Sequence, residues 1–130
     1  MQFLQTVPEG FHKSIELLNK VKVDVLIDMS TKTCDFIHLK GVGCHVEDYV
    51  EVFLNFDVKV FQSMDMEMKE THIEMVINIL NYIFKLAIKQ KVSPQDFAKL
   101  MRKNSQLTPT NIKSLFEVYE KYQVFFNTLI

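Results

Sequence analysis

Two hydroxyl–proline steps, Ser93-Pro94 and Thr108-Pro109, cut the second half of this chain into segments that each carry helical spacing. A serine or threonine side chain accepts a hydrogen bond from a backbone N–H two or three residues on. Proline at the first helical position sacrifices nothing, because that amide has no intrahelical partner. Each step therefore stops one helix and starts the next. Upstream of the first step, residues 66–91 place Ile73, Val76, Ile77, Leu80, Phe84, Ala87 and Ile88 on one face, and Ile79, Ile83 and Leu86 widen it. Glu67 and Glu70 near its start and Lys85, Lys89 and Lys91 near its end suit the helix dipole. So broad an apolar arc predicts the central helix of a domain.

Between the steps a short helix is expected to turn Phe97, Leu100 and Met101 inward, with Asp96 placed for a capping-box-like exchange with Ser93. After Thr108 a helix is expected to the end of the chain, and it carries two apolar rows. Ile112, Leu115, Phe116, Tyr119 and Phe126 form one, with Gln123 in register; Val118, Tyr122, Phe125 and Leu129 form the other. A surface helix needs one apolar face to fold against its domain. The second row, Val118, Tyr122, Phe125 and Leu129, is therefore predicted to bind a partner chain.

The first half is less constrained. Pro8-Glu9-Gly10-Phe11 followed by Ile15 and Leu18 fits a short first helix. Residues 21–29 alternate apolar and polar through Val21, Val23, Val25, Ile27 and Met29, which is strand periodicity, while Val21, Val25 and Met29 also fall at helical spacing. Local propensity favours the strand, for which only the region Phe36–Leu39 offers a partner. Gly41-Val42-Gly43 marks a loop, and Val46, Tyr49, Val50, Phe53, Leu54 and Phe61 suggest a helix over 46–61. The expectation is one all-α domain over residues 1–130, an orthogonal bundle of about six helices, with residues 21–40 the least determined.

Bulk properties narrow the function. Fifteen basic and 16 acidic residues leave a formal charge of −1, so no concentrated basic face for nucleic acid is expected. The lysines and arginine at Lys85, Lys89, Lys91, Lys99, Arg102 and Lys103 are interspersed with acids and read as a solvated helix face. No stretch has the ~20 uncharged apolar residues of a membrane span, and MQFLQTVPEG lacks the basic and apolar regions of a signal peptide. With only 2 cysteines the expectation is a reduced, soluble, cytoplasmic protein.

A search for chemistry finds little. Gly41-x-Gly43 is too short for a phosphate-binding loop and lacks its lysine, and no nucleophile elbow is present. No catalytic residue and no cofactor is predicted. Cys34, His38, Cys44 and His45 have the right donor types for zinc or copper, and His38 lies one helical turn from Cys34. Their C-x3-H-x5-C-H spacing matches no ligand pattern, so a metal-binding protein is the alternative reading and buried cysteines with loop histidines the favoured one. Met64, Met66, Met68 and Met75 suit either core filling, which is favoured, or an adaptable binding surface.

The stretch from Leu80 to Ile130 resembles the N-terminal helical domain of the COMM-domain-containing proteins. The resemblance rests on a long apolar helix ending over Ile83–Val92, a short helix with Phe97 and Met101, and a last helix with Leu115, Tyr119, Gln123, Phe126 and Ile130 in step. The opening VPEGFHKSIELLNKV is similar to that family's first helix. In the family a COMM domain of strands and a helix follows, beginning with a tryptophan-containing strand. This chain stops at Ile130 and has no Trp, so the COMM domain and the dimerisation it mediates are expected to be absent. The resemblance implies a non-catalytic scaffold module of an endosomal cargo-sorting assembly, the Commander complex. Its implied partners are COMM-family or coiled-coil scaffold subunits, with oligomerisation through a partner chain. A structural subunit of an unrelated helical assembly is a further alternative.

Overall fold

The computed structural model describes residues 3–40 and 70–126, and within them five helices and no strand. They are α1 (Phe11–Asn19), α2 (Val23–Lys40), α3 (Glu70–Lys89), α4 (Pro94–Asn104) and α5 (Pro109–Phe126). The loop expected at 41–43 and the helix expected over 46–61 lie outside the described residues, as do Cys44, His45 and Leu129. So do the side chains of Ile73, Phe125 and Phe126.

Both hydroxyl–proline steps work as local chemistry requires. The Ser93 Oγ accepts from the Asp96 N–H at 3.2 Å, with Pro94 at the first helical position of α4. Thr108 Oγ1 accepts from the Asn111 N–H at 3.4 Å and opens α5. The end of α3 is also specified locally. Lys91 adopts a left-handed backbone (φ 54), its N–H donates to the Ile88 carbonyl at 3.1 Å, and the Val92 N–H donates to the Ala87 carbonyl at 3.0 Å. This is the Schellman pattern with lysine where glycine is usual, and the apolar residue that follows, Val92, is fully buried, as the motif favours.

Residues 21–29 are not a strand. Val21, Val25 and Met29, with Leu26, Cys34 and Ile37, make a buried stripe at helical spacing, whereas Val23 is 39 % exposed. Thr31 and Thr33 donate their hydroxyls to the carbonyls one turn back, Ile27 and Met29, at 2.7 and 2.8 Å. The β-branched residues lost to tertiary context: the helical face buries a continuous stripe, and propensity is a weak prior against that.

Packing follows two lines. α5 lies between α2 and α4, and α3 packs against α1 and α2. At the centre Phe97 stacks on Tyr119 with ring centroids 4.6 Å apart, and Phe84 and Phe3 complete the aromatic cluster. Tyr119 lies fully inside, and its hydroxyl donates to the Val92 carbonyl at 2.5 Å, with Ala87 O at 3.4 Å. One side chain thus ties α5 to the closing turn of α3. Asn19 ties the end of α1 to the α4–α5 connection: its amide donates to Gln106 O and its Oδ1 accepts from the Thr108 N–H, both at 3.0 Å. The N-terminal turn is held as well, since Asn104 donates to Phe3 O at 2.8 Å. Leu4 takes a left-handed conformation (φ 60) that brings Phe3 and Leu4 into the core together.

Candidate functional site

Val118 and Tyr122, the two described side chains of the second row on α5, are not left over for a partner. Val118 is 5 % and Tyr122 is 7 % exposed, both inside the chain's own core. The reason is α2, which the strand reading of 21–29 took away. As an 18-residue helix it lies along α5, where Val118 and Tyr122 are buried. The Tyr122 hydroxyl donates to the Asp35 carboxylate on α2. Burial, that hydrogen bond and the neighbouring Asp35 charge all push the Tyr122 phenol well above its ordinary value. Of the four residues predicted to bind a partner, Val118 and Tyr122 are core; the Phe125 side chain and Leu129 lie outside the described residues. Among the described side chains of α5, the exposed apolar one is Val124, at 73 %.

The candidate metal ligands divide in the same way. Cys34 is fully buried on α2, and burial, then the Asp35 charge, push its thiol up, away from the thiolate that a metal requires. His38 follows one turn later, half-buried. Among the described residues no group of three or more His, Cys, Asp or Glu side chains is placed to hold a metal. Nor, among them, is any helix long and apolar enough to cross a membrane.

Among the described residues α3 carries part of the apolar surface that the core leaves half-covered. Here the wide arc divides: Ile83 is fully buried, whereas Met75, Tyr82 and Leu86 are only half-buried and face α1. Between these helices runs a groove of about 540 Å³ with Phe11, Met75, Ile79, Tyr82 and Leu86 among its walls. Phe11 meets Tyr82 edge-on, with ring centroids 6.3 Å apart. Tyr82 and Leu86 also wall a second hollow of about 280 Å³, shared with Gln5, Thr6 and Gln90. Lys13 from α1 and Lys85 and Lys89 from α3 edge the main groove, with Glu9 opposite in charge. Lys85 and Lys89 are thus part of a concave surface, more than the solvated face expected of them.

α1 begins at this groove. Its cap is Gly10, in a left-handed conformation (φ 85), which offers no side-chain acceptor, and no acidic residue stands in its first turn. Among the described residues that helix end therefore has no side-chain cap, and Glu9 stands directly before it. The groove has an apolar floor, a net basic edge and no cluster of reactive groups. In the sequence the extra width of the α3 arc reads as a central helix and Met75 as core filling, because a wide arc is equally what a fully buried helix shows.

Among the described residues the chain is an all-helical bundle of five helices with an amphipathic groove. Comparison with family models, with curated proteins and with solved structures finds no match.

Proposed function

We propose that this chain is a non-catalytic protein-interaction module that docks a partner chain in the α1–α3 groove. The observation that carries the reading is the groove itself: half-buried Met75, Tyr82 and Leu86 line a concavity of about 540 Å³ that the described helices leave open. Aromatic and methionine side chains at the bottom of a depression, edged by long charged stems, are the usual make-up of a binding hot spot. The resemblance to the helical domain of the COMM-domain-containing proteins extends the proposal to a scaffold role in an endosomal cargo-sorting assembly, with COMM-family or coiled-coil subunits as partners.

The test is quantitative affinity purification of the tagged protein from cells, with Leu86→Arg and the distant control Lys113→Glu beside it. The expected result is that cargo-sorting subunits co-purify with the wild type and the control and are lost from Leu86→Arg, while its helical circular dichroism is retained. Equal recovery with all three forms refutes the groove as the docking surface. Recovery of partners unrelated to endosomal sorting refutes the assembly while leaving the module.

A further inference from the structure

We infer that α4 and the turn before it form a second docking surface, a basic one, for an acidic segment of a partner protein. Its cations are Lys91, Lys99, Arg102 and Lys103, and none of them lines the α1–α3 groove. All four are exposed. Between Lys91 and Asn104 they stand against one acid, Asp96, a net +3 in a chain that carries −1. Among the described residues none of the four forms an ion pair. Lys99 lies three residues before Arg102 and four before Lys103, so three like charges share one side of the helix. Like-charged pairs at those spacings oppose a helix rather than support it. The helix dipole favours Arg102 and Lys103 in the last turn of α4, but not Lys99 at its middle.

Lys91 stands out independently. Its backbone is left-handed (φ 54), where glycine is the unstrained residue, and its ammonium group has no hydrogen bond or ion pair among the described residues. A residue that costs the backbone something, with a charge that meets no partner in the bundle, points to a role outside it. What stands beside the charges selects the occupant. Half-buried Leu100 lines, with Lys99 and Lys103, a hollow of about 260 Å³ among the described residues. An acidic peptide offers both halves of the match: carboxylates for the cations and an aliphatic side chain for the hollow. A nucleic acid offers phosphates for the charges alone, and four cations fall short of the ~6–10 phosphate contacts of a strongly salt-dependent binder. A lipid surface takes up exposed apolar side chains, and those of α4 are buried (Phe97, Ala98, Met101) or half-buried (Leu100).

The test uses the full chain, isotope-labelled for amide NMR, and two synthetic peptides that share one leucine and carry either glutamates or glutamines around it. The glutamate peptide is expected to shift the resonances of Lys91, Lys99, Leu100, Arg102 and Lys103. It should bind ~10-fold more tightly than the glutamine peptide at low salt, a preference that shrinks as salt screens the exposed charges. Lys99→Gln with Lys103→Gln, two exposed positions outside the core, should weaken that binding ~10-fold, whereas Lys20→Gln with Lys113→Gln, also exposed, should leave it unchanged. Lys91→Gly should melt at a higher temperature and yet bind ~3-fold more weakly, with Lys91→Arg binding as the wild type does. Undiminished binding by Lys91→Gly overturns the part given to Lys91. Equal weakening by the two glutamine pairs, or binding of the two peptides with one affinity, overturns the basic surface. Tighter binding at α4 of phosphatidylserine vesicles or of a single-stranded oligonucleotide than of the glutamate peptide overturns a protein occupant. Leu86→Arg should leave the peptide affinity unchanged, so failure of this surface and failure of the groove are read separately.

Discussion

Val118→Ala separates a core row from a partner row on α5. Val118 is 5 % exposed, so the substitution removes two buried methyl groups. At ~0.8 kcal/mol for each carbon taken out of water, the transfer loss is about 1.6 kcal/mol. The space left between α5 and α2 closes only in part, and that raises the expected cost to about 2 kcal/mol. Unfolding entropy of ~2.1 cal/mol/K per residue gives about 0.27 kcal/mol/K for a chain of 130 residues. The melting temperature should therefore fall by about 7 °C. Thermal unfolding followed by circular dichroism at 222 nm measures this directly, with a urea titration to confirm that the midpoint moves and the slope does not. Partner binding through the groove should be unchanged at temperatures where the variant is folded. An unchanged melting temperature together with lost partner binding would show that the row faces a partner after all, and would refute the packing of α2 on α5.

Two further perturbations probe the closing turn of α3 and its tie to α5. Tyr119→Phe removes the donor to Val92 O and leaves a buried carbonyl unpaired, which should cost about 1–2 kcal/mol and lower the melting temperature in neutral buffer. The same variant should alter alkaline unfolding. Burial, then Cys34, pushes the Tyr119 phenol from 10.0 to about 12, so the unfolded chain ionises first; the contribution is complete below pH 10 and is lost as the pH rises toward 12. Melting curves between pH 9 and 12 should thus steepen less with pH in Tyr119→Phe than in the wild type, and equal slopes would refute the assignment. Lys91→Gly relieves a left-handed lysine (φ 54) and should raise stability by roughly 0.5–1 kcal/mol in urea titration; a loss of stability would refute the Schellman geometry.

The boundaries of α4 and α5 were legible because their causes are local. Ser93 and Thr108 act on N–H groups three residues away, and Pro94 and Pro109 set backbone angles at their own positions. No distant partner is needed to decide either start. The central place of α3 was legible too, since Val76, Ile77, Leu80, Ile83 and Phe84 are all buried whatever covers them. The conformation of 21–29 was not. Its residues satisfy period two and period 3.6 alike, and only burial of Val21, Val25 and Met29 against the rest of the bundle selects the helix.

That one decision set the candidate site. A strand at 21–29 leaves α5 with a bare second row; a helix there buries Val118 and Tyr122, and half-covered apolar surface stands instead in the α1–α3 groove. The sequence by itself determined where helices start, which residues lie on their apolar faces, and that there is more apolar face than a single bundle layer needs. Only the tertiary structure decided which face stays open. Periodicity reports how much surface a helix must cover, and the neighbour that covers it is fixed by contacts between residues far apart in the chain, such as Tyr122 with Asp35 and Asn19 with Thr108.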